Sequence, residues 1–299
     1  MTHLNTSVIQ KVCLVFLLLC TGLISGALAQ QPNIDQLIQT GIENGMSKSA
    51  LTELQARAQK RGMSPDQLAG IIQPAVGLAE QNLPANHLIL KALEGMSKGV
   101  PVPQIIPVVD RLNRSTQQAA QVVDPWIKNQ NVQDMLSRTE MAPGSDQFRR
   151  QMIEASSRAI SQNIPASSLS EILQEVTTTS ISTRANALDV VAAINILPDL
   201  AANQTPEAAQ NFVVRALKGG FGSRELQKLP MAVSMAQKRS QIPAASILEG
   251  ISKQLQAGTP AAQVLQNLFK GNIGGGPPGN IPGGPPENPG QGKGQGRGN

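Results

Sequence analysis

Apolar residues recur at three- and four-residue steps through most of this chain, with polar and charged side chains between them. In 47–61 the apolar set is Ala50, Leu51, Leu54 and Ala58, while Lys48, Glu53, Arg57 and Lys60 fall elsewhere on the helix. Residues 84–98 place Leu88, Ala92 and Met96 on one side, helped by Ile89 and Leu93, and 243–257 do the same with Ile247, Ile251 and Leu255. No stretch sustains the alternation of a half-buried strand. The pattern predicts an all-α protein of about a dozen short antiparallel helices.

Punctuation between the periodic stretches follows a rule. Gly or Asn ends a helix, because these residues tolerate the left-handed turn at a helix C-terminus. An apolar residue follows, and Ser or Pro opens the next helix, as at Ser64-Pro65, Leu83-Pro84, Ile164-Pro165 and Ile242-Pro243. Pro74, Pro107, Pro198 and Pro230 sit inside periodic stretches and are expected to kink or split them.

The punctuation also recurs. G-M-S-P-D-Q-L at 62–68 is echoed by A-P-G-S-D-Q-F at 142–148 and G-F-G-S-R-E-L at 220–226. A second landmark reads N-L-P-A-N-H-L at 82–88, N-I-P-A-S-S-L at 163–169 and Q-I-P-A-A-S-I at 241–247. A third reads G-V-P at 99–101, S-I-S at 180–182 and G-T-P at 258–260. Residues 45–62 align without gaps to 203–220, with Arg57, Ala58, Lys60 and Gly62 recurring as Arg215, Ala216, Lys218 and Gly220. The copies lie about 80 residues apart, which predicts a helical-hairpin repeat array, α-solenoid-like, in three units (33–112, 113–192, 193–270). A closed multi-helix bundle is the alternative architecture. The middle copy is the most degenerate, above all in 110–140.

The ends of the chain differ from this pattern. Residues 1–29 read as a signal peptide: Lys11, an apolar run from Val12 to Leu28, then Ala27-Leu28-Ala29, with cleavage expected between Ala29 and Gln30. Both cysteines, Cys13 and Cys20, fall within it. The mature chain is then exported, to a periplasmic or extracellular location in a bacterium, with packing rather than disulfides for stability. It would carry no transmembrane span, because the only long apolar run is the leader. Residues 30–270 form the helical repeat domain. From Gly271 onward Gly and Pro leave nothing to bury, so 271–299 read as a disordered, weakly basic tail ending in Lys293 and Arg297.

Charge and composition exclude more than they suggest. Without Lys11, 24 basic residues face 20 acidic ones, and no Lys/Arg block exceeds two. There is no Tyr, one Trp (Trp126) and four Phe after the leader. Nucleic acid is therefore an unfavoured partner, lacking both a basic footprint and stacking faces.

Candidate chemistry is equally thin. His87 is the only histidine past the leader and, placed just after Pro84, reads as a surface residue of a first helical turn. With no cysteine beside it, no metal site is expected, nor any cofactor. No G-x-S-x-G elbow surrounds a serine, and Gly290-Gln291-Gly292-Lys293-Gly294 lacks the strand, helix and Ser/Thr of a phosphate loop. Glu171 and Glu175 share a helix face at i,i+4 and are the pair that a carboxylate-based hydrolase could use, although solvated surface acids explain them better. Trp126, in Asp124-Pro125-Trp126-Ile127, could contact a partner as an exposed anchor or pack a corner. The reading that results is an exported, non-catalytic scaffold or protein-binding module for an unknown protein or envelope partner. An envelope-associated protein that grips an anionic polymer through its tail is the second reading, and the carboxylate hydrolase the third.

Overall fold

A computed structural model describes residues 33–139, 145–202 and 204–272. Among the described residues the chain is all-helical, with 14 helices packed against each other and no strand. The first five are α1 (Ile34–Glu43), α2 (Lys48–Lys60), α3 (Pro65–Glu80), α4 (Asn86–Ser97) and α5 (Val102–Ile127). Next come α6 (Gln130–Arg138), α7 (Asp146–Ser161), α8 (Ala166–Val176), the single turn α9 (Thr179–Ser182) and α10 (Ala187–Ala201). The last four are α11 (Pro206–Lys218), α12 (Ser223–Ser240), α13 (Ala244–Gln256) and α14 (Ala261–Lys270). The leader with its Ala29–Gln30 cleavage site, the Pro143-Gly144 corner and the tail beyond Asn272 lie outside the described residues.

Local rules account for the helix ends. Ser47, Ser64 and Thr205 cap α2, α3 and α11 by accepting a backbone N–H of the first turn, and Ser64 forms a reciprocal capping box with Gln67. At the second landmark Asn82, Asn163 and Gln241 all adopt the left-handed conformation, with φ of 55°, 68° and 57°. Gly62, Gly99, Gly220 and Gly258 do the same at the first and third. The apolar residue after most of these corners donates its N–H to a carbonyl five residues back. Examples are Leu83 to Leu78 at 2.9 Å, Ile164 to Ala159 at 3.1 Å and Phe221 to Ala216 at 3.0 Å. Gln241 departs from this, since Ile242 N donates to Ser240 Oγ instead.

Packing is local along the chain. One row of helices runs α1, α3, α5, α7, α10, α12, α14, each against the next. Beside it α2 packs on α4, α4 on α5, α5 on α8, α8 on α11 and α11 on α13. This layout is consistent with a helical repeat and also with a bundle. Cross-ties join helix ends that are neighbours in space. Arg61 donates to the carbonyls of Met96 and Val100 past α4, Arg138 to those of Ser182 and Thr183, and Arg239 to that of Phe269. Asp189 accepts from Asn186 N at 2.9 Å and Ser223 N at 2.6 Å, tying the starts of α10 and α12.

The buried apolar residues form two clusters, from Met46 to Val109 and from Ala119 to Leu268, with Leu83 touching both. Helix α5 serves both: Ile105 and Val109 enter the first, and Ala119 and Val123 the second. Between them Ser115 and Thr116 are buried polar residues of the same helix. The 112/113 and 192/193 unit limits read from the sequence fall inside α5 and α10.

The prolines do not split their helices. Pro74, Pro107, Pro198 and Pro230 lie within continuous α3, α5, α10 and α12, and α5 runs through Pro125 as well. Pro107 and Pro125 are exposed, so the carbonyls deprived of an N–H partner (Pro103, Gln121) meet water rather than the core. The third landmark of the middle copy is not a glycine corner but the single turn α9.

Candidate binding cleft

The seam between the two apolar clusters opens onto a cleft of about 540 Å³. Three elements build it. Helix α4 brings His87, Leu90, Lys91 and Glu94, α5 brings Val108, Arg111 and Leu112, and α7 brings Glu154 and Arg158. A second hollow of about 340 Å³ shares Glu154 and Arg158 with it and continues past Leu188, Val191 and Asn195 of α10 to Ser223 and Gln227 of α12. A third, of about 190 Å³, shares Lys91, Glu94 and Val108 and extends to Gln104 and Val100. Through these shared residues the three hollows adjoin along α4, α5, α7 and α10, and this row of hollows is the groove.

His87 stands at the centre of the seam. Its Nε2 lies 3.0 Å from Thr116 Oγ1, which donates its own proton to Leu112 O at 2.7 Å and lies 2.9 Å from Ser157 Oγ. Thr116 has one proton and spends it on Leu112, so Ser157 and His87 Nε2–H both donate to it. Nδ1 is then the bare nitrogen; it is buried and has no partner. Burial, helped by the charge of Arg158, lowers the imidazole pKa from 6.5 to about 4. His87 is thus not the surface residue that its place in a first turn suggested. It is half-buried, because the corner at Asn82-Leu83-Pro84 turns the start of α4 toward α5 and α7.

The charges around it are unevenly matched. Glu94 is held by Lys98 and Lys91, whose hydrogen bonds keep its carboxyl well below the usual carboxylate range. Arg111 and Arg158 form no ion pair among the described residues. Apolar side chains flank them: Leu90 is 57% exposed, Val108 42% and Leu188 45%.

The residues singled out in the sequence lie elsewhere. Trp126 is only 7% exposed and packs against Phe148, with ring centroids 6.1 Å apart, so it is a core residue and not a surface anchor. The burial follows from α5 continuing through Pro125 to Ile127, which turns this part of the helix toward α7. Glu171 accepts from Gln210 Nε2 at 2.6 Å and Glu175 pairs with Lys218 at 2.9 Å, so both serve the α8–α11 contact and neither lines the groove. Arg111, Arg158, Leu90, Val108 and Leu188 had no signal in the sequence, since each is an ordinary residue of a helix surface.

Among the described residues no cluster of three or more His, Cys, Asp or Glu could hold a metal ion, and no helix is long and apolar enough to cross a membrane. Comparison with family models, curated proteins and solved structures finds no match to this chain.

Proposed function

We propose that the protein is an exported, non-catalytic scaffold that binds a protein partner through the groove across α4, α5, α7 and α10. One observation carries this reading: three adjoining hollows share lining residues and bear Leu90, Val108 and Leu188, three of the four large hydrophobic side chains that are exposed among the described residues, Met231 being the fourth. A groove of shared helix faces suits an extended partner, as in other proteins built from stacked helices. Carboxylate hydrolysis fits less well, because Glu94 is kept ionised by two lysines where a general acid is needed.

The test is capture of the partner from an envelope extract by the purified full chain and by Val108→Asp/Leu188→Asp. Both positions are exposed helix-surface sites, so the variant is expected to fold, with its helical circular dichroism unchanged. A partner held by the wild type and lost by the variant supports the groove. A partner held equally by both overturns it.

A further inference from the structure

The groove's unmatched charges say more about what would fill it. Five features bear on the occupant: its length, its apolar points, its unpaired cations, its paired anion and its neutral histidine.

Neighbouring packed helices lie about 8–10 Å apart. Val108 on α5 and Leu188 on α10 are two helices apart with α7 between them, so they are separated by about 16–20 Å. An extended chain covers that with about five or six residues at 3.3 Å each. Arg158, on the middle helix, lines both the hollow that holds Val108 and the one that holds Leu188, and Arg111 stands one turn from Val108 on α5.

Cations outnumber anions here. Lys91, Lys98, Arg111 and Arg158 face only Glu94 and Glu154. The two lysines share Glu94, while neither guanidinium forms an ion pair among the described residues. His87 adds no charge near neutral pH, and its Nε2–H is committed to Thr116. A planar guanidinium matches a carboxylate in two parallel hydrogen bonds. Phosphate-rich polymers fit worse, since the exposed Leu90, Val108 and Leu188 would gain no cover from them.

We infer that the groove takes an extended acidic–apolar segment of a partner protein, with carboxylates on Arg111 and Arg158 and flanking aliphatic side chains over Val108 and Leu188. This rests on the binding-groove reading above and names the chemistry of its partner.

The probe is a fluorescein-labelled peptide with two glutamates between two leucines spaced by glycine and serine, compared with the same peptide carrying glutamines. Fluorescence anisotropy with the full chain should show the glutamate peptide bound about tenfold more tightly. Arg111→Gln/Arg158→Gln should remove that preference, and raising salt should erode it in the wild type. On binding, His87 should titrate at higher pH in NMR spectra, because a carboxylate on Arg158 offsets the positive charge that helps to depress the imidazole. Equal affinity for both peptides, with both lost in Val108→Asp/Leu188→Asp, overturns the acidic preference but leaves the groove standing as a binding site. A preference that survives Arg111→Gln/Arg158→Gln, or no saturable binding of either peptide, also overturns it.

Discussion

Acidification should unlock the seam through one residue. His87 has its pKa lowered from 6.5 to about 4 in the fold, whereas an unfolded chain leaves it near 6.5. A depressed pKa means that the fold favours the neutral ring. Its contribution to stability is therefore present above pH 6.5 and is lost as pH falls toward 4. At 1.36 kcal/mol per unit the full shift is about 3 kcal/mol, and the ring's partial exposure reduces this to about 2. The structural reason is visible: protonation puts a hydrogen on buried Nδ1, which has no acceptor, and adds a charge beside Arg158. Carboxylates of the unfolded chain begin to titrate toward the acid end of this range, so the measurement is a difference. Urea unfolding of wild type and His87→Gln should be followed from pH 7.5 to 4. The glutamine amide can still donate to Thr116 but does not titrate. The wild type should lose about 2 kcal/mol more than the variant over that range. Parallel acid profiles, or an NMR titration of His87 near 6.5, would refute the reasoning.

Four further outcomes rest on the packing. Asp189→Ala should cost about 2–3 kcal/mol in urea unfolding by leaving the Asn186 and Ser223 amides without their acceptor, and Asp189→Asn less than about 1.5. Burial raises the Asp189 pKa, so the wild type should lose stability relative to Asp189→Asn as pH rises above the ordinary carboxylate value of 3.8. Arg61→Ala should cost about 1 kcal/mol by freeing the Met96 and Val100 carbonyls, and Arg61→Lys should recover only part, since an ammonium lacks the fork that spans both; the urea midpoint reports this. Phe148→Ala should cost about 3–5 kcal/mol and red-shift the emission of Trp126, which should fluoresce as a buried indole in the wild type.

Helix type and many helix ends were legible because they are set locally. Ser64, Asn82 and Asn163 act within one turn of themselves, so reading them required no tertiary knowledge. The splits allowed for at the prolines are absent for the opposite reason: an unfavourable local step in α5 is outweighed by what Ile105, Val109, Ala119 and Val123 bury on either side of it. The single turn α9 shows the same limit, since the S-I-S stretch resembles a corner only by its spacing. The groove was illegible altogether. Val108, Arg158 and Leu188 come from three helices, and nothing in their own surroundings marks them as neighbours in space. His87 was misplaced because its burial depends on Thr116 and Ser157, 29 and 70 residues further along the chain.

The central claim is that a partner occupies the face formed by α4, α5, α7 and α10. Site-specific photocrosslinking in the host cell tests it most directly. A photoreactive residue at Val108 or Leu188 should yield the same adduct of discrete mass, and one at exposed Lys60 on α2, in the other row, should yield none. Adducts from Lys60 alone, or none from either groove position, would contradict it.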